Sequence, residues 1–158
     1  MRIYVVVTCI NPLRIYIYEE GLARFATCKY QAGGAAGQKG KYMHLTNYSI
    51  NKKNAAFQHS KNEINEGEGS KWSLTALRKM MRSQGLDDKV IWKTIEDIII
   101  KTIISAEPQI NQASEQYVPY NSNCFELLGF DILIDDLLQP WLIEVNLSPS
   151  LGCDSPLD

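Results

Sequence analysis

No stretch of this 158-residue chain approaches the roughly 20 consecutive apolar residues that a membrane-crossing helix requires. No membrane partner is expected on that ground. The opening segment, MRIYVVVTC, carries one positive charge and a short apolar run that Asn11-Pro12 soon interrupts. It reads as a strand and not as a signal peptide. Paired cysteines are missing too. Cys9, Cys28, Cys124 and Cys153 are scattered, none sits in a C-x-x-C pair, and the two histidines, His44 and His59, are not placed to complete a zinc site. A reducing, cytosolic setting is expected. There is no excess of one charge sign: 16 basic residues face 18 acidic ones, for a net charge of -2. That balance excludes a polyanion binder driven by bulk charge, and no nucleic-acid partner is expected. No nucleophile elbow is present and His44 has no Ser or Cys partner at recognisable spacing, so covalent side-chain catalysis is not expected.

What the chain does have is core material. Hydrophobic residues make up 45% of it, enough for one compact domain or a large piece of one. Collagen-like, disordered and coiled-coil classes fit poorly. The first 30 residues are rich in Val, Ile, Tyr, Phe and Thr. They predict three strands, Ile3 to Thr8, Arg14 to Tyr18 and Leu22 to Tyr30, turning at Asn11-Pro12 and Glu20-Gly21 as an antiparallel meander. Gln31 to Lys41, rich in Gly, Ala and Lys, reads as a mobile loop. Within it Ala35 to Lys41 mimics the A-x-x-x-x-G-K spacing of a phosphate loop, but Tyr42 stands where Ser or Thr is needed. Tyr42 to Asn54 is polar with no strong period, and Gln58 to Gly69 reads as an exposed acidic loop.

A helix follows, with Ser70 as its expected cap, Leu74, Leu77 and Met81 as its apolar face and Gly85 as its end. A second helix is expected from Asp87 or Asp88. Ile91, Ile95, Ile98, Ile99 and Ile103 form its buried stripe, and Trp92, Ile100 and Ile104 widen that stripe almost all round, so that it should be covered on most sides. Pro108 is expected to break or kink it, with a short helical stretch running on to Gln116. Two strands, Cys124 to Ile134 and Trp141 to Leu147, complete the pattern. The turn-rich end, SPSLGCDSPLD, closes nothing, and the chain reads as a fragment of something longer.

The strongest chemical signal lies in GFDILIDDLLQPWLIEVNLSPS. A turn centred between Leu137 and Leu138 places Asp131 opposite Glu144, with Asn146 on the same face by alternation. The other face then carries Phe130, Ile132 and Ile134 against Trp141, Ile143 and Val145 as core. Two carboxylates across a ladder, with Cβ atoms about 5 Å apart, repel one another. A bound divalent cation reverses the sign. Mg²⁺ takes oxygen ligands and is commonly held by one or two carboxylates together with substrate phosphates. The alternative is a solvated Asp131 with Glu144 paired to a lysine. Four further features remain open at this level. Arg24 is either a solvent-facing strand residue or a clamp for carboxylate or phosphate. Thr46, Asn47, Tyr48 and Ser49 are either a self-bonded turn or a site for a nucleotide ribose or an amino acid. Lys71 beside Trp72 is ordinarily a surface lysine, and Lys52-Lys53 a solvated pair.

Taken together, YEEGLARFATCKY, YMHLTNYSINKKN, KWSL, IIIKTIISAEP, FELLGFDILID and PWLIEVNLSPSLGCDSPLD resemble the tubulin–tyrosine ligase-like family, in its polyglutamylating branch. The resemblance implies an α+β, ATP-grasp-like fold, incomplete here, of mixed, mostly antiparallel sheets with packed helices. Residues 1–56 would belong to the central lobe and 70–158 to the C-terminal ATP-grasp portion, with 31–41 and 58–69 as flexible loops. It implies ATP-dependent addition of L-glutamate to glutamate side chains of tubulin tails through an acyl phosphate, with ATP and Mg²⁺ as cofactors. Asp131, Glu144 and Asn146 would hold the metal. Thr46 and Asn47 would contact ATP, and Arg24, Tyr48, Ser49 and Lys71 the incoming L-glutamate. Arg24, Lys71 and Glu144 would carry the catalysis. The partners implied are the acidic tails of tubulin or microtubules and free L-glutamate, in the cytoplasm and on the cytoskeleton, with cilium, basal body or centriole compatible. Family regions upstream of Met1 and beyond Asp158 are expected to be needed for full activity. A glycine or tyrosine ligase of the same family, or a non-catalytic microtubule-binding module, would be the alternatives.

Overall fold

The structure is a computed structural model of the chain, and it describes residues 1–30, 38–51, 53–54, 69–120 and 123–152. Its elements follow the order β1 (Arg2–Ile10), β2 (Leu13–Arg24), α1 (Gln38–His44), α2 (Tyr48–Asn51), β3 (Lys71–Ser73), α3 (Leu74–Ser83), α4 (Asp88–Tyr117), β4 (Glu126–Ile134) and β5 (Pro140–Leu147). The chain divides into two compact units, Met1–Gly21 with Met81–Leu151, and Leu22–Met80 with Gly152–Asp158. Among the described residues, five strands, paired antiparallel where β1 meets β4, β2 meets β3 and β4 meets β5, together with four helices make this an α+β fold.

In the first unit the strand order is β2-β1-β4-β5. β1 alternates strictly: Ile3, Val5 and Val7 are buried while their neighbours are not. These three pair with Phe130, Leu128 and Glu126 of β4, and Phe130 and Ile132 join them in the core. α4 packs against β1 and β5 and buries Ile91, Ile95, Ile99 and Ile103, one residue per turn. Its start is well specified. Asp87 caps it by accepting from the Lys89 N–H at 3.0 Å. The preceding helix, α3, ends in a Schellman turn: Leu86 N–H bonds the Met81 carbonyl at 3.0 Å and Gly85 N–H the Arg82 carbonyl at 3.0 Å. Gly85 sits there at φ 77°, a conformation that favours glycine. The bidentate pair of Arg82 on Asp88, at 2.8 Å for both contacts, ties that turn to the first residue of α4.

The second unit contains the last turn of β2, which pairs Leu22, Ala23 and Arg24 with Ser73, Trp72 and Lys71 of β3. Phe25 packs on Trp72 with ring centroids 4.7 Å apart, and its N–H extends the pairing to the Ser70 carbonyl at 2.9 Å. Leu74 and Leu77 of α3 are buried beside Ala76.

Several expectations are corrected. β2 runs unbroken from Leu13 to Arg24, so the second and third expected strands are one strand and Phe25 to Tyr30 is not extended sheet. Glu20-Gly21 lacks the positive-φ pair that a tight hairpin demands, and Leu22 and Ala23 gain burial by continuing. α1 begins at Gln38, inside the segment read as a loop, whose residues 31–37 lie outside the described set, as do 58–68. The α3 cap is Ser73 and not Ser70: its Oγ accepts from the Ala76 N–H at 3.0 Å. α4 continues through Pro108 to Tyr117 as one helix. Pro108 lies on an exposed stretch, so the Ile104 carbonyl it cannot bond has water as a substitute. Ile100 and Ile104 are 41% and 52% exposed, so α4 is buried along one stripe and not on most sides.

Candidate active site

The β4–β5 pairing places Asp131 directly opposite Glu144, and Gly129 opposite Asn146, as the assumed turn required. Alternation sets both acids and the amide on one face. The Asn146 Nδ2 donates to Glu144 Oε1 at 3.0 Å and reaches toward Asp131 Oδ2 and the Gly129 carbonyl, each at 3.5 Å. One neutral side chain thus bridges the two carboxylates.

The register changes immediately beyond them. Ile132 pairs with Leu142 and Leu133 with Trp141, which leaves Ile143 as an extra residue on β5. A bulge of one residue inverts the alternation. Trp141 therefore lies opposite Leu133, on the β4 face of Asp131, and not in the core as the unbulged register predicts. Its indole N–H donates to Asp135 Oδ2 at 2.7 Å. Ile143 and Val145 are 61% and 37% exposed, because β5 is the last strand in its order. The turn itself is organised by Asp135, whose Oδ1 accepts from the Leu137 and Gln139 N–H groups at 2.9 and 2.8 Å. The Trp141 bond first, and the Gln139 N–H after it, hold the Asp135 carboxyl below its ordinary pKa.

Sequence reasoning missed Arg2. β1 pairs it with Asp131, and its guanidinium grips that carboxylate in bidentate fashion, Nε to Oδ1 at 2.6 Å and Nη2 to Oδ2 at 2.9 Å. The hydrogen bond to Asp131 raises the Arg2 pKa; burial opposes it, and the charges of Asp131, Tyr4 and Glu144 reinforce it. Gly129 was missed as well. A Cβ there would stand 2.9 Å from the Pro149 Cβ and 3.1 Å from the Arg2 Cδ and Nη1. A side chain at position 129 would therefore press on Pro149 and crowd the Arg2 side chain where it crosses β4 to reach Asp131. The alternation of MRIYVVV indicates the face on which Arg2 sits, but only the β1–β4 register says which acid it meets.

The donor set fits a hard cation. Two carboxylates and an amide share one face, a donor chemistry that suits a hard cation; both Asp131 oxygens accept from Arg2 and Asn146 turns its Nδ2 to the acids, and among the described residues no group of three or more His, Cys, Asp or Glu could hold a metal ion. Mg²⁺ would be held by Asp131, Glu144 and the Asn146 oxygen.

The remaining expected residues form two groups in the second unit. Arg24 and Lys71 face each other across the β2–β3 ladder. Like charges directly opposite are unfavourable in a sheet pair. Thr46 and Asn47 lie between α1 and α2. The Asn47 carbonyl opens α2 by accepting from the Ile50 and Asn51 N–H groups at 3.1 and 2.9 Å. Tyr48 and Ser49 are its first two residues, and their side chains lie outside the described set.

This combination of fold and acidic hairpin defines a class. The profile of the tubulin-tyrosine ligase family matches residues 1–158, and the chain belongs to that family. Among its relatives are the human tubulin polyglutamylase TTLL5, 52% identical over 158 residues, and the human tubulin monoglutamylase TTLL4, 48% identical over 158 residues. The mouse tubulin polyglutamylase TTLL6 is 49% identical over 162 residues. All of this chain is matched in each case, but it spans only 12%, 13% and 19% of those three relatives.

Proposed function

We propose that the protein to which this chain belongs is an ATP-dependent ligase that joins L-glutamate to glutamate side chains in the acidic tails of tubulin. The observation that carries this reading is the pairing of Asp131 with Glu144 across one ladder, with Asn146 on the same face. In chemical terms a γ-carboxylate of the acceptor tail attacks the γ-phosphorus of ATP and displaces ADP, giving an acyl phosphate. The amino group of free L-glutamate then attacks the acyl carbon, loses a proton, and phosphate leaves. Mg²⁺ bound at Asp131, Glu144 and Asn146 would supply neutralisation of phosphate charge.

The chain's own residues do the rest. Every reactant is an anion, so catalysis rests on positioning and charge compensation. Arg2 holds Asp131 in orientation and adds a fixed positive charge beside the phosphate site. Thr46 and Asn47 contact ATP. Arg24 and Lys71, with Tyr48 and Ser49, bind the carboxylates of the incoming amino acid, and the two cations favour glutamate over glycine or tyrosine, which bring no side-chain carboxylate to neutralise. The work is placed on the cytoskeleton in the cytoplasm, and cilium, basal body or centriole fit the same substrate. Nucleic acid and membrane have no part in it.

The test is incorporation by the full-length protein, given ATP, tubulin and isotopically labelled glutamate, glycine or tyrosine. Glutamate is expected to enter tubulin tails in an ATP- and Mg²⁺-dependent manner. Preferential incorporation of glycine or tyrosine would defeat the substrate assignment, and transfer without ATP would defeat the reaction.

A further inference from the structure

Asn51 and Asp88 are the buried polar residues among those described, and Asn51 is 1% exposed. All of its side-chain hydrogen-bonding atoms are engaged. Its Nδ2 donates to the Leu45 carbonyl and to the Asn47 carbonyl, the latter at 3.3 Å. Its Oδ1 accepts from the Thr27 hydroxyl at 2.8 Å, and the same hydroxyl oxygen accepts from Asn54 Nδ2 at 2.8 Å. The two carbonyls that Asn51 holds stand on either side of Thr46. Leu45 closes α1 through its bond to the Lys41 carbonyl at 3.0 Å, and the Asn47 carbonyl opens α2. Thr46 is thus the middle one of the three residues between two short helices, and one buried amide holds the carbonyls on both of its flanks.

A buried amide is a poor choice for stability alone, since an apolar side chain of similar size needs no partners. What it supplies here is a defined conformation at a hinge that would otherwise be set only by two helices of seven and four residues. Thr27 anchors the clamp to the segment that follows β2, three residues beyond Arg24.

We propose that Asn51, held by Thr27, is a positioning residue that sets the Thr46–Asn47 backbone for nucleotide binding. The inference rests on the reading of Thr46 and Asn47 as ATP contacts. Asn51 touches no substrate. It acts through the two carbonyls, so its loss weakens ground-state and transition-state binding alike.

The experiment is steady-state kinetics on the full-length protein with Thr27→Val and Thr27→Ser, and with Asn47→Ala as the reference. Valine keeps the shape of threonine without the hydroxyl, and serine keeps the hydroxyl. Thr27→Val is expected to raise KM for ATP about fivefold, the effect of one lost buried hydrogen bond, with kcat within about twofold. Thr27→Ser should restore KM to within about twofold of the wild type. Asn54→Ala loosens the same hydroxyl from its other side and is expected to raise KM for ATP in the same direction. Unchanged KM in Thr27→Val, where Asn47→Ala does raise it, would overturn the positioning role. Unchanged KM in both would overturn it together with the ATP reading beneath it.

Discussion

Replacing Arg2 by methionine isolates the electrostatics of the acidic hairpin. A single Asn146 nitrogen lies 3.0 Å from Glu144 Oε1 and 3.5 Å from Asp131 Oδ2, so those two oxygens are at most about 6.5 Å apart. At that separation two negative charges repel by about 0.6 kcal/mol in water and about 2.5 kcal/mol at the effective dielectric of a protein surface. Glu144 is exposed and Asp131 half-buried, which places the repulsion near about 1 kcal/mol. Arg2 offsets it through a bidentate pair whose side chains are 12% and 25% exposed. Charge-assisted bonds of this kind contribute about 1.5–3 kcal/mol. Arg2→Met is therefore expected to lower the local opening free energy of β4 and β5 by about 2 kcal/mol in metal-free buffer. In a Glu144→Gln background the same substitution should cost about 1 kcal/mol less, because Asp131 then faces a neutral partner. Millimolar Mg²⁺ should narrow the gap between wild type and Arg2→Met, since the cation takes over the neutralisation. The assay is hydrogen exchange of the β4 and β5 amides in the full-length protein, with chelator or with Mg²⁺. An equal cost in both backgrounds, untouched by Mg²⁺, would refute the claim that the two carboxylates share one field.

Three other outcomes follow from the same geometry. Glu144→Gln should reduce ligation by more than about 100-fold while exchange protection of the β4–β5 amides persists; normal turnover at ordinary Mg²⁺ would contradict the metal assignment. Gly129→Ala should displace Arg2, since its Cβ would meet the arginine side chain and Pro149, and an amide-exchange pattern for β4 like that of Arg2→Met would show it. Asp135 carries a depressed pKa. The turn's added stability is therefore full above the ordinary carboxylate range, about pH 4, and disappears as pH falls through the folded-state value. Relative to Asp135→Ala, the wild-type turn should lose its advantage on acidification, read from exchange at Leu137 and Gln139; an advantage independent of pH would place the effect in packing.

Local pattern was enough wherever neighbours in sequence decide the outcome. The isoleucine stripe at Ile91, Ile95, Ile99 and Ile103 specified the buried face of α4, because a helical period follows from backbone geometry alone. Gly85 marked the end of α3, since the turn there needs positive φ. The hairpin was legible, and with it the pairing of Asp131 with Glu144, but the pairs nearest the turn run one residue out of the assumed register and the bulge at Ile143 restores it at the two acids. The motifs in the same segments also sufficed to identify the family.

What sequence left undecided depended on contacts between distant residues. Arg2 is 129 positions from Asp131, and nothing in either segment announces the other. The bulge at Ile143 put Trp141 opposite Leu133, where its indole bonds Asp135. Asn51 looked like one polar residue among many until folding buried it between two carbonyls and a threonine. Sequence by itself determined which residue types and which local elements this protein has. Tertiary structure decided which charges neutralise each other and which amide holds the hinge, because electrostatic and hydrogen-bond energies depend on distances in space that no local pattern encodes.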